Sequence, residues 1–251
     1  MLLKKITRWN KTTLIFILLF CTISVLSAQT QTEKYKKTYS QVLADINQNF
    51  AEFYLDLQLL LVSVPEDLLI LVDKKHLLVH DYVPENLVAL NVPRSYGISR
   101  HDMTLTAEAE NALEKMAKAA KAEGVILIAS SGYRSYDYQQ EVFARHCKNS
   151  GKEAALKFSA RPGASQHQLG TAVDFGSIRN SYADTKAGKW LKKNASKYGW
   201  SLSYPKGYET ITGYQWECWH FRYMGVEACR FQDKWFDGIQ QYMLEYIHSR
   251  Q

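Results

Sequence analysis

Cysteine is scarce in this chain. There are four in 251 residues, at positions 21, 147, 218 and 229, and no two are spaced as C-x-x-C. That excludes a thiolate zinc site and leaves too few thiols for a disulfide framework to define the fold. Long apolar runs are also missing. The most extended, LIFILLFCTISVL at 14–26, has thirteen residues, short of the roughly 20 that a spanning helix needs. Five prolines and 13 glycines are ordinary usage and exclude collagen-like or low-complexity chains. An excess of one charge is only superficially present. The formal net charge is +6, but Lys4, Lys5, Arg8 and Lys11 all precede the apolar run. Without those four, the balance gives no electrostatic argument for nucleic acid. No internal repeat is visible.

What is present begins with a targeting layout. A basic stretch, the apolar run and then Ser27-Ala28-Gln29 have the order of a secretory signal peptide over residues 1–28. The length favours cleavage after Ala28, with an uncleaved anchor as the alternative, so membrane contact is expected only if the segment is retained. The expected location is across the cytoplasmic membrane, in the periplasm or cell envelope. Cleavage would leave Cys147, Cys218 and Cys229, an odd number that allows at most one internal disulfide; buried thiols are the default.

The whole chain is 46% hydrophobic, enough for a sizeable core. Tyr39, Leu43, Ile46, Phe50, Phe53, Leu57 and Leu60 alternate spacings of four and three, which predicts an amphipathic helix within 29–64, stopped by Pro65. Barely three heptads favour a helix packed on its own domain over a coiled-coil arm. Residues 65–251 read as one domain. Extended segments and loops are expected over 68–90. A helix over 106–123 ends at Gly124, and a strand follows at 125–129. Asp137 is assigned as the N-cap of the next helix, with Gln140 as its capping-box partner. A short helix is expected at 152–158, strands at 171–175, 200–204 and 219–223, and helices at 184–197, closed by Gly199, and at 235–247. Without regular βαβ alternation this is α+β, a small, mainly antiparallel sheet with flanking helices.

Two of the seven histidines have a special setting. His167 lies seven residues before Asp174, and His220 three after Glu217. A hydrolytic zinc centre needs three N or O ligands and an open position, which His167, Asp174 and His220 can supply. Seven residues of helix rise about 10.5 Å, too far to share an ion. The chain must therefore reverse between His167 and Asp174, and Gly170 is placed to allow it. Glu217 and His220 would point to opposite faces of a regular strand, so a bend or bulge near Cys218 is needed. Glu217 is then the candidate base, and Arg134, after the 125–129 strand, the candidate clamp for an oxyanion or carboxylate. Tyr133, Tyr136, Trp216 and Trp219 either shape an apolar-walled cleft or pack the core.

Taken in order, SGYRS at 131–135, S-x-H-x-x-G-x-A-x-D at 165–174 and E-x-W-H at 217–220 resemble the VanY-like D-alanyl-D-alanine carboxypeptidases. These are zinc enzymes that trim peptidoglycan, related to lysostaphin-type peptidases and hedgehog domains. The resemblance includes LVDKKHLLVHDYVPENLV upstream and spans about 71–225. It implies a zinc carboxypeptidase domain at 65–251, with Zn2+ at the sheet held by His167, Asp174 and His220. Glu217 would act as base and then acid, and Arg134 as clamp on substrate and intermediate. Ser165 would help hold the substrate terminus, and Gln139 would line the cleft. The implied partners are peptidoglycan stem peptides. An L,D-carboxypeptidase, an endopeptidase and a non-catalytic wall-binding module are the alternatives, and an intact Glu217 argues against the last, because a purely structural site needs no base.

Overall fold

The heptad stripe is carried by two helices, not one, in this computed structural model, which describes residues 36–90 and 93–250. The expected signal segment and the first residues of the 29–64 helix lie outside the described residues. Helix α1 (Tyr39–Gln48) and helix α2 (Phe50–Ser63) meet at Asn49. There the backbone N–H donates to the Ile46 carbonyl and the side-chain amide to the Asp45 carbonyl, closing a turn. Ile46, Phe53 and Leu60, seven apart, are buried, whereas Phe50 is 54% exposed. The helices pack on the domain itself. The Phe53 ring lies 5.1 to 6.2 Å from those of Phe231, Trp235, Phe236 and Tyr246. Lys234 Nζ bridges Glu52 and Asp56 at 2.7 and 2.6 Å.

Strands β1 (Leu87–Ala89), β2 (Gly97–Ile98) and β3 (Thr104–Thr106) precede helix α3 (Ala107–Ala122), whose N-cap Thr106 accepts from the Ala109 N–H. Strand β4 (Ile128–Ser131) starts later than expected. Within 125–127, the Leu127 carbonyl accepts from Gly97, but the ladder proper begins at Ile128. Helix α4 (Tyr136–Ser150) is capped by Ser135, whose hydroxyl accepts from the Tyr138 N–H at 3.1 Å. The assignment of Asp137 as cap is therefore corrected by two residues. Asp137 lies in the first turn, where a negative charge suits the helix dipole, and pairs with His80 at 2.9 Å.

Helix α5 (Lys152–Phe158) and strand β5 (Ala172–Phe175) follow. Helix α6 (Lys186–Asn194) is shorter than the expected 184–197, because its last turn tightens to 3-10 geometry over Ala195–Tyr198 and closes on left-handed Gly199. Strands β6 (Trp200–Leu202) and β7 (His220–Tyr223) lead into helices α7 (Val226–Trp235) and α8 (Gln240–His248). The helix expected over 235–247 begins only at Gln240, since Asp237 and Gly238 take φ of 53° and 74°, and α7 had no counterpart in the sequence reading.

The main sheet has the order β2-β4-β5-β7-β6, antiparallel except for β2 beside β4, and β1 and β3 form a separate antiparallel pair. The architecture is α+β. Phe175 packs against Trp200 and Phe221, while Asp174 and His220, one residue earlier in their strands, point to the opposite face. Cys147, Cys218 and Cys229 are free thiols.

Candidate metal centre and active-site cleft

The central pair of strands sets the site. In the antiparallel register of β5 and β7, Asp174 stands directly opposite His220, so both side chains project from one face. His167 arrives from a 3-10 turn, Gln166–Leu169, whose N-cap Ser165 accepts from the His167 N–H at 3.3 Å. The turn ends at Gly170 with φ 70°, where a Cβ would come within 2.9 to 3.1 Å of Pro84, Leu87 and Thr106. That left-handed residue reverses the chain between His167 and Asp174, as the spacing argument requires. Glu217 reaches the same side as His220 by a tight turn through Cys218 and Trp219 rather than a strand bulge, closed by His220 N–H donating to the Glu217 carbonyl.

Hydrogen bonding assigns lone pairs to the site. His167 Nδ1 lies 2.7 Å from the Gly132 carbonyl oxygen, which can only accept, so the ring carries its proton at Nδ1. Its Nε2 is buried, has no hydrogen-bond partner, and faces Asp174 Oδ2 at 3.2 Å. A bare ring nitrogen against a carboxylate oxygen is an arrangement that a cation resolves. On the other side, His220 Nδ1 is 3.0 Å from Asp174 Oδ1 and His220 Nε2 is 3.1 Å from Gln166 Oε1. One donor atom from each of the three residues lies within 4.8 Å of the others, and all three residues are buried. Two imidazoles and a carboxylate, with outer ring nitrogens held by hydrogen bonds, fit a tetrahedral ion at about 2.0 to 2.2 Å with one position to spare.

The charges agree with that use. Burial, reinforced by Arg134, pulls His167 down to about 4, against the opposing pull of Asp174, so the ring is neutral near pH 7. Burial pushes the Asp174 carboxyl up, but the adjacent His167 and His220 rings outweigh it and hold it well below the usual carboxylate range. Neutral imidazole and ionised carboxylate are the states that a metal needs. Glu217 Oε2 is 3.8 Å from His220 Nδ1. Burial and then the Asp174 charge raise Glu217 well above its ordinary value, against Arg134. It is placed to hold a proton.

Arg134 and Gln139 are brought to the same cleft, of about 580 Å³. One guanidinium nitrogen donates to Gln139 Oε1 at 2.7 Å, and Gln139 Nε2 donates to the Ala160 carbonyl at 2.7 Å. Arg134 Nε is buried with no partner. Ser165 lines the cleft, as do Tyr133 and Trp219, but Tyr136 and Trp216 do not, so two of the four expected aromatics belong elsewhere. Tyr204 takes such a place instead, its ring 4.8 Å from that of His220. Sequence reasoning missed Tyr204, Gln166 and the Gly132 carbonyl. Of these, Gln166 had a signal, its position beside His167 in the S-x-H motif.

A family model described as VanY, D-alanyl-D-alanine carboxypeptidase, matches residues 102–226. The bifunctional D-Ala-D-Ala dipeptidase and D-Ala-D-Ala carboxypeptidase VanXYC of Enterococcus gallinarum is 31% identical over 164 residues, 62% of this chain and 83% of that protein. The chain belongs to the VanY D-alanyl-D-alanine carboxypeptidase family. A putative carboxypeptidase of Bacillus subtilis, YodJ, is 40% identical to this VanY-family chain over 175 residues, 67% of it and 64% of YodJ. Against YodJ and two enterococcal D-alanyl-D-alanine carboxypeptidases, the chain spans about half to two thirds of the relative's length. Among solved structures, the LdcB LD-carboxypeptidase superposes with a TM-score of 0.64 at 36% identity, covering 71% of this chain and 86% of that one. A VanY D,D-pentapeptidase in complex with Zn(II) superposes at 0.58 with 29% identity, covering 71% and 99%. The matched span contains Arg134, Ser165, His167, Asp174, Glu217 and His220, ends at the first residue of α7 and stops before α8.

Proposed function

We propose that this chain is a zinc-dependent D-alanyl-D-alanine carboxypeptidase that removes the C-terminal D-Ala from peptidoglycan stem peptides. The observation that carries the reading is the bare His167 Nε2 facing Asp174 Oδ2 at 3.2 Å, with Glu217 and Arg134 in the same cleft. His167, Asp174 and His220 would hold the ion, and a VanY neighbour in complex with Zn(II) supports zinc as that ion. Zinc at such a site supplies Lewis acidity and eases deprotonation of water.

The remaining steps belong to the protein. Glu217 takes a proton from the attacking water, which its raised proton affinity favours, and delivers it to the leaving amine. Arg134, braced by Gln139, turns its remaining donors to the developing oxyanion. Ser165 helps hold the substrate terminus. The substrate is extracytoplasmic, which agrees with the targeting layout of residues 1–28; no described helix is long and apolar enough to cross a membrane.

An L,D-carboxypeptidase is the second reading, favoured by the likeness to LdcB at 36% identity. Mass spectrometry of defined stem peptides after incubation with the protein tests both. Loss of one D-Ala from a pentapeptide is the expected result. Loss of D-Ala from a tetrapeptide alone assigns the L,D activity, cleavage of cross-linked peptides assigns an endopeptidase, and unchanged peptides with bound zinc assign a non-catalytic module.

A further inference from the structure

Two walls of the cleft come from outside the main sheet, and each follows the end of a helix. One is the end of α5, where Phe158 and Ala160 line the cleft; the other follows the one-turn helix Glu209–Thr212 and supplies Tyr214 and Glu217. The last carbonyls of a helix have no partner within it and carry its partial negative charge, so each end takes a donor from elsewhere. Lys74 serves both ends. Its Nζ donates to the Leu156 carbonyl at 2.6 Å and to the Gly213 carbonyl, across 82 and 139 residues of sequence, and stands 4.5 Å from the centre of the Tyr214 ring.

The lysine is itself held. Buried Asp73 accepts from the N–H groups of Lys75 and His76 at 2.7 and 2.9 Å and from Gln241 Nε2 of α8 at 2.8 Å, which fixes the turn. Arg161 donates to the Lys74 carbonyl at 3.0 Å. Gly213, left-handed with φ 76°, gives the stem its room, since a Cβ there would lie 3.2 Å from Lys74 Cδ. The walls also meet directly through the Gln215 N–H, which donates to the Lys157 carbonyl at 2.9 Å.

What the walls carry makes their spacing matter. On the first, the Ala160 carbonyl accepts from Gln139, which in turn accepts from Arg134. On the second, Glu217 follows shortly after Gly213. A shift of one wall against the other moves the base relative to the clamp, while the three ligands stay anchored on β5, β7 and the 3-10 turn.

We infer that Lys74 is a positioning residue that ties the wall bracing Arg134 to the wall bearing Glu217, and so sets the spacing of clamp and base. The inference rests on the proposed carboxypeptidase reaction for its kinetic readout but not for its exchange readout.

The test uses the whole chain with Lys74→Met, of similar length but without a donor, and Lys74→Arg, which keeps a cation and its donors. Lys74→Met is also combined with Gln139→Ala. Kinetics on the stem peptide that the wild type cleaves are read beside zinc content and amide hydrogen exchange. Lys74→Met is expected to lower kcat about 10- to 100-fold, the scale of loss for a displaced reacting group, with KM within a few-fold and zinc stoichiometric. Exchange at the Gln215 N–H should rise about tenfold while the β5 and β7 amides exchange as in wild type. Lys74→Arg should lose less on both measures. In the Gln139→Ala background the brace is already gone, so Lys74→Met should cost little more, whereas a lysine that only supports the fold costs the same factor in both backgrounds. Unchanged kcat, equal factors in the two backgrounds, or exchange raised throughout the sheet overturn the inference. If the wild type cleaves no stem peptide, the carboxypeptidase reading fails, and unchanged exchange at Gln215 in Lys74→Met would separately show that Lys74 does not tie the walls.

Discussion

A carboxylate 3.8 Å from a ligand nitrogen can be a base or a fourth ligand, and for Glu217 the two roles part in one variant. As a base, Glu217→Ala loses turnover by about 10² or more while zinc stays stoichiometric; metal analysis and steady-state kinetics on one preparation check this, and loss of the ion would make Glu217 a ligand. Arg134 is tested by conserving its charge. Gln139 and the Ala160 carbonyl orient a planar fork, which an ammonium cannot reproduce. Arg134→Lys should therefore lower kcat by about 10² to 10³ with little change in KM. A rise in KM alone would assign Arg134 to the ground-state carboxylate, and a lower melting temperature with intact kinetics would assign it to bracing the loop. The six motif residues named from SGYRS, S-x-H and E-x-W-H do converge on one cleft, because motif spacing records which residues must meet. Gln166 and Tyr204 were not legible in the same way. What they do depends on partners 54 and 16 residues away, at His220, and no local pattern encodes that distance.

The elements were legible as types and misread at their ends. Ser135 and Asp137 are both good N-cap residues two positions apart, so propensity could not choose between them. The choice has a measurable consequence. Ser135→Ala removes the acceptor for the Tyr138 N–H and should cost about 1 kcal/mol in denaturant unfolding. Asp137→Ala, which loses an exposed pairing with His80 and one first-turn charge, should cost less. Equal costs would show that the cap contributes nothing at this helix. Ser135→Ala should also reduce turnover, since fraying of α4 loosens Gln139 and through it Arg134. The late start of α8, five residues after the expected Trp235, was missed for a related reason. A single glycine inside a helical pattern is tolerated, and only the left-handed backbone at Asp237 and Gly238 reveals that this one ends a helix. Through that break Gln240 comes to head α8 with its side chain turned to Gln166.

At the scale of the molecule, the mixture of helices and antiparallel strands was readable from element order alone, and the shortness of the heptad stripe favoured a helix packed on its own domain over a coiled-coil arm. The packing of Phe53 separates the two. Fully buried, it sits among four aromatic rings contributed by α7, α8 and the segment between them. Its truncation must leave a cavity beneath the very helix that carries Gln240. Phe53→Ala is expected to lower unfolding free energy by about 3 to 5 kcal/mol. Leu55→Ala, two residues away on a side chain that is 64% exposed, should stay within about 0.5 kcal/mol. Denaturant melts of the two variants and wild type, all at the same zinc concentration, make the comparison. If Phe53→Ala proves as mild as Leu55→Ala, α1 and α2 are an appendage; a large difference makes them part of the core that supports the metal centre from behind.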